Sequence, residues 1–171
     1  MTRFLHALAL TALASVAFAQ RYTSPPATAT ATIAGKQIKV DYYQPSMHGR
    51  KIFGSLVPYD RLWATGANVT TSITSDAPLQ FGTLKLPKGG YSIWTAPGAK
   101  EWTVVVNNET GSFHLSHDSS HDVGQFNVTP RTIPDTVETL TITLTAAGGN
   151  KGVMLIRWEH TEVPIEFSVL P

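Results

Sequence analysis

TVETLTITLTA, Thr136 to Ala146, sets three aliphatic side chains against a row of threonines. Leu140, Ile142 and Leu144 fall on one side of an extended chain, and Thr139, Thr141, Thr143 and Thr145 fall on the other. A strand turns successive side chains to opposite faces, so a period of two places one face in a core and the other in water. The same period recurs in Gln37–Tyr43, where Ile38, Val40 and Tyr42 alternate with polar neighbours. It recurs in Glu101–Asn107 through Trp102, Val104 and Val106, and in Thr161–Leu170 through Val163, Ile165, Phe167 and Val169. VMLIRW, Val153 to Trp158, is apolar on both sides, as a central strand is. The 22 threonines suit a pleated surface, because a branched Cβ is accommodated there better than in a helix.

Turn signals separate these runs: Ala34-Gly35-Lys36, Pro87 to Gly90, Ala96 to Ala99, Asn108 to Gly111 and Gly148-Gly149-Asn150. Short strands at regular spacing between such turns indicate an all-β fold, an antiparallel β-sandwich or alternatively a β-barrel. Thr23 to Thr32, TSPPATATAT, leads into a first strand whose prolines suit an edge.

The N-terminus has the form of an address. Arg3, an apolar run from Phe4 to Phe18, and the small-x-small triplet Ala17-Phe18-Ala19 read as a signal peptide over residues 1–19, with the mature chain starting at Gln20. The remaining residues, 20–171, are enough for one domain, and none of their apolar stretches is long enough to span a membrane. The expected location is the periplasm or the extracellular space. Loss of Arg3 evens the 13 basic and 12 acidic residues to a net charge of zero, which points away from nucleic acid as a partner. The chain has no cysteine, so disulfides, thiolate nucleophiles and thiolate-held metals are excluded.

One segment breaks the rhythm. From Pro45 to Asn68, PSMHGRKIFGSLVPYDRLWATGAN follows neither a strand nor a helix period. Loops of this length in compact domains are functional or disordered. Its content of Ile52, Phe53, Leu56, Val57, Tyr59, Leu62 and Trp63 favours an ordered loop, with room for a helical turn, packed over the end or edge of the sheet. Arg50 and Lys51 offer charge to an anion, Tyr59 and Trp63 offer ring faces, and Asn68 offers an amide in a tight turn. The competing reading is structural: Arg50 pairs with Asp41 or Asp60 to pin the loop, and the rings are buried.

FHLSHDSSHD, Phe113 to Asp122, is the second candidate. His114, His117 and His121, with Asp118 or Asp122, are the residue types that hold zinc or copper without cysteine. A divalent metal is the one cofactor the sequence suggests, and the alternative is a solvated connection between strands. Trp94 and Trp102 flank a hairpin as packing residues. Glu159, His160 and Glu162 sit near a strand end and read as a turn. No phosphate-cradling loop, dinucleotide fingerprint, zincin motif or nucleophile elbow is present in the sequence.

Asp41–Asn68, Leu86–Gly111 and Arg157–Phe167 together resemble the domain of unknown function 2911 family of exported bacterial proteins. The resemblance runs from about Ser24 to Phe167. It is carried by Pro45, Gly49-Arg50-Lys51, Phe53-Gly54, Val57-Pro58-Tyr59, Trp63, Gly66-Ala67-Asn68 and Gly90-Tyr91 in the family's order. The family has Arg after this Trp, whereas Ala64 stands here and Arg61 precedes the Trp by two residues. A site using that arginine must therefore be reached by Arg61 or be altered. The resemblance implies fold and export, and gives no reaction.

Three functions follow as expectations. The first is a non-catalytic binding module for a small polar or anionic ligand or a partner protein of the envelope, using Arg50, Lys51, Tyr59, Trp63 and Asn68. The second is a metal-dependent hydrolase or metal-binding protein using His114, His117 and His121. The third is a structural or assembly module of the cell envelope, joined to another chain through a free sheet edge.

Overall fold

The computed structural model describes residues 23–171, so the signal-peptide reading and the start at Gln20 lie outside the described residues. Among the described residues ten strands form two antiparallel sheets. They are β1 (Pro26–Ile33), β2 (Lys36–Tyr43), β3 (Ser72–Ser75), β4 (Leu79–Phe81), β5 (Leu84–Leu86), β6 (Gly89–Ala96), β7 (Trp102–Asn107), β8 (Asp122–Val128), β9 (Arg131–Ala146) and β10 (Lys151–Val169). The first sheet has the order β1-β2-β3-β6-β7-β8, the second β5-β4-β10-β9. The architecture is a β-sandwich. Among the described residues no helix is long and apolar enough to cross a membrane.

The period-two sets form the core between the sheets. Ile38, Val40 and Tyr42 face Leu140, Ile142 and Leu144, with Val163, Ile165, Phe167 and Val169 completing the layer. Burial of each such aliphatic side chain stabilises by about 1.5–3 kcal/mol. β10 is central between β4 and β9, as its sequence implied, but its second face is only half covered: Met154, Ile156 and Trp158 are buried, Val153 and Leu155 less so.

β9 and β10 are longer than a strand every 8–12 residues would allow. β10 runs for 19 residues because two register irregularities, at Arg157/Glu159 and Glu159/Thr161, bend it without ending it. Glu159, His160 and Glu162 therefore sit at a bulge inside a strand and not in a turn near its end. A bulge re-aims side chains, and Glu159 adopts φ +57° there.

The aperiodic segment 45–68, called the flap below, is ordered and contains no helical turn. Its strand-like contacts are isolated bridges: Ser46 with Thr139, Phe53 with Val57, Trp63 with Thr95. Its first residues cover the outer edge of β9, since Met47 N–H donates to Glu138 O and Leu140 N–H donates to Pro45 O. Tyr42 serves the same edge, its hydroxyl accepting from Ile142 N–H at 3.0 Å and lying 3.3 Å from Ile142 O.

One expectation about the first sheet fails. The outer face of β6 and β7 is not wet: Trp94 and Val105 are buried with Ala64 in a second small cluster. The flap reaches them through Ala64, and the His-rich connection reaches them through His117, whose ring meets Trp94 edge-on at 4.9 Å. Trp94 and Trp102 thus pack on opposite faces of one sheet.

Candidate functional site

The flap residues proposed as one binding site are dispersed. Arg50 is exposed and folds back on its own loop, donating from Nε to Met47 O at 2.8 Å and from Nη2 to Ser46 O at 2.7 Å. It pairs with neither Asp41 nor Asp60; Asp41 is held instead by Lys39 at 2.6 Å and Thr28 at 2.7 Å. The Met47 and Ser46 carbonyls of the flap itself take Nε–H and one Nη2–H of Arg50. Lys51 is exposed.

Trp63 turns inward. Its ring stacks on Trp158 at 5.8 Å and meets Phe53 and Trp102 edge-on, while Nε1–H donates to Gly66 O. It is a clasp and not an open wall. Asn68 is buried at φ +62°, donates from Nδ2 to Ser24 O, and accepts the His114 amide on its carbonyl. Ala64, at the position where the family carries arginine, is fully buried, and Arg61 is exposed at the flap surface.

The three histidines do not converge. His114 Nδ1 lies 3.1 Å from Asn68 O, His117 Nε2 lies 2.9 Å from Asp122 Oδ1, and His121 Nδ1 lies 3.0 Å from Asn108 Oδ1. Among the described residues no group of three His, Asp or Glu side chains is arranged to hold a metal ion. Each histidine is engaged by a different neighbour, and only His121 belongs to the 3-10 turn Ser119–His121, which His114 and His117 precede.

Asp118 caps that turn. Its carboxyl is held below the usual aspartate range, first by the Ser120 hydroxyl, then by the Ser120 amide, with His121 and His117 adding smaller attraction against a desolvation that opposes it. A carboxyl with a depressed folded value contributes stability above its unfolded value and loses it as pH falls through the folded one. Acidification below the ordinary aspartate range is therefore expected to release the turn. In Asp118→Asn that pH dependence is expected to disappear, read from the Ser120 amide resonance; an unchanged titration would refute the cap.

The feature that sequence did not announce is at the end of the sandwich beneath the flap. A cleft of about 120 Å³ has Phe53 and Trp102 among its lining, with Tyr59, Arg131, Thr132 and Thr161 around it. Tyr59 is 43% exposed, which leaves its phenol in reach of solvent. Gly54, at φ +81°, lets the ring sit close: a Cβ there would fall 2.7 Å from Tyr59 Cε2. Gly98 closes the neighbouring hairpin so tightly that a Cβ would meet Glu101 O at 2.3 Å. Arg131 is 65% exposed, and among the described residues its ion-pair partner is Glu162, at 4.0 Å from Nη1. Glu162 is shared with Arg157, whose Nε lies 3.3 Å from it without being directed at it.

A larger groove of about 460 Å³ passes Arg50, His48, Gln44 and Ser24. It offers less, because Nε and Nη2 of Arg50 are already committed to carbonyls. Among the described residues the cleft's arginine has a carboxylate only at 4.0 Å, and the cleft's rings are fixed. Of the five flap residues expected to bind, only Tyr59 is brought to it.

Residues 24–167 match the family described as protein of unknown function (DUF2911). The chain belongs to this family. No curated protein and no solved structure matches the chain. Membership in the DUF2911 family therefore accords with the fold and leaves the chemistry to the geometry. Within this member, the conspicuous flap motif serves largely to hold itself: Phe53 and Trp63 build the aromatic interior, and Asn68 ties the flap to Ser24 and His114.

Proposed function

We propose that this member of the DUF2911 family is an exported, non-catalytic binding module that takes a small anionic group, a carboxylate or phosphate, at the Tyr59–Arg131 cleft. The group is carried by a small molecule or by a protein of the envelope. The observation that carries the reading is Arg131, whose nearest carboxylate among the described residues is Glu162 at 4.0 Å, beyond hydrogen-bond distance, in a cleft that has two buried rings in its lining. Arginine presents a planar fork matched to such oxygens. Thr132, Thr161 and the Tyr59 phenol add hydroxyl donors around it. At about 120 Å³ the cleft is smaller than the roughly 300–1,000 Å³ of pockets that swallow a whole ligand, so it grips a terminal group. Export, to the periplasm or beyond, rests on the leader pattern of Arg3, the apolar run and Ala17-Phe18-Ala19.

Inorganic phosphate is the probe. A site with millimolar affinity, saturated at about 100-fold excess, stabilises by roughly 2.7 kcal/mol, which is a rise of several degrees in Tm. Phosphate also stabilises proteins generally by exclusion from their surface. The comparison with Arg131→Gln is therefore the measurement: the wild type is expected to gain more than the variant, and Tyr59→Phe an intermediate amount. Equal gains in all three proteins would sink the cleft as an anion site.

A further inference from the structure

Four strands end a sheet among the described residues: β1, β8, β5 and β9. An open edge presents unpaired N–H and C=O groups, and proteins protect such edges with charge, bulges, short length or a covering segment. β5 is three residues long. β8 begins with Asp122 and carries an irregularity where Val106 and Asn107 pair with it. β9 is covered by Pro45–Met47 and the Tyr42 hydroxyl. Among the described residues β1 has none of these protections. It is eight residues, PATATATI, regular against β2 along its whole length, without a charged side chain and with its one proline at the first position.

The alternation in β1 says which partner fits. Ala27, Ala29 and Ala31 pack toward the core, and Thr28, Thr30 and Thr32 are exposed. In antiparallel pairing of this strand with itself, every register that keeps the alanines on the core side sets Thr opposite Thr and Ala opposite Ala. Such Thr–Thr pairs are favourable across strands. The strand is thus self-complementary about a two-fold axis, the requirement of an isologous dimer. β1 itself carries no charged side chain to oppose the approach, and on the neighbouring β2 Lys39 and Asp41 neutralise each other.

We propose that β1 pairs antiparallel with β1 of a second copy of this chain, joining two six-stranded sheets into one continuous sheet. The contact lies along one edge and so belongs to the small, weak class of interface. It leaves the Tyr59–Arg131 cleft, formed by the flap and β9–β10, outside the contact strand, and it stands independently of the anion reading.

The test is sedimentation of protein recovered from expression of the whole sequence, from micromolar to millimolar concentration. The wild type is expected to shift from monomer to dimer, and Thr30→Lys, which sets like charges across the pair, is expected to remain monomeric. Thr30 is exposed, so the variant is expected to keep the wild-type Tm. Hydrogen exchange of the Pro26–Ile33 amides supplies the second reading: their protection is expected to rise with concentration in the wild type alone. A wild type that stays monomeric throughout, or a dimer that persists in Thr30→Lys with β1 amides unprotected, would overturn the proposal. Association that requires a different, added protein would assign the edge to another partner and equally overturn self-pairing.

Discussion

Trp158→Ala is expected to destabilise the protein by about 3–5 kcal/mol, the range for removing a large buried ring. Trp158 is 1% exposed and stands where both sheets and the flap meet. Its ring stacks on Trp63 at 5.8 Å and meets Phe53 at 6.1 Å, and its Nε1–H donates to Glu138 O at 3.2 Å. Truncation leaves a large cavity among Trp63, Phe53 and the sheet, and removes one of the two donors to Glu138 O, which keeps the Met47 amide. A typical domain has only about 5–15 kcal/mol to lose, so the variant is expected to unfold at much lower urea concentration. Trp158→Phe keeps most of the volume and is expected to lose less than half as much. A midpoint for Trp158→Ala within about 1 kcal/mol of wild type would mean that the aromatic cluster is not what joins flap to sandwich.

Glu159→Ala is expected to free the flap. The Glu159 carboxylate accepts from two successive amides, Ile52 N–H on Oε1 and Phe53 N–H on Oε2, each at 3.2 Å. Hydrogen bonds to a charged group contribute about 1.5–3 kcal/mol apiece, and partial exposure reduces this pair to roughly 2–3 kcal/mol in all. The flap carries trypsin sites at Arg50, Lys51 and Arg61, all exposed but on a held backbone. Digestion of Glu159→Ala under native conditions is expected to cut there tens of times faster than in wild type. The residue also sits at φ +57°, a conformation that costs a side chain with a Cβ about 1–2 kcal/mol. Glu159→Gly removes the same carboxylate but relieves that cost, so it is expected to be more stable than Glu159→Ala by about 1 kcal/mol. If alanine and glycine variants are equal, the bulge is not strained; if neither speeds cleavage, the carboxylate does not hold the flap.

Much of the sandwich was legible because its strands state their faces locally. Leu140, Ile142 and Leu144 declare a buried side whatever they pack against, and the same holds for Val163 to Val169. The site was legible only in part. Tyr59 stood among the candidates by its ring in an ordered loop, whereas Arg131, which lines the same cleft, follows a proline at the start of a strand and carries no local mark. Glu159 was misread for a related reason: a bulge interrupts periodicity as a turn does, and the sequence does not distinguish an interruption that ends a strand from one that bends it. The histidines misled by density, since three imidazoles within eight residues resemble a ligand set, whereas the fold gives each a different partner: Asn68, Asp122 and Asn108.

From sequence alone followed the all-β class, the faces of the main strands, the edge character of β1, and the presence of an ordered aperiodic flap. Each depends on contacts between near residues or on the preference of a side chain for water, and both are written in the order of the chain. Which distant groups meet was decided by the tertiary structure: Glu159 with the Ile52 and Phe53 amides, Trp63 with Trp158, and Tyr59 and Arg131 around one cleft. Those pairings depend on where two sheets cross and how far a bulge turns a backbone, and no local period encodes either.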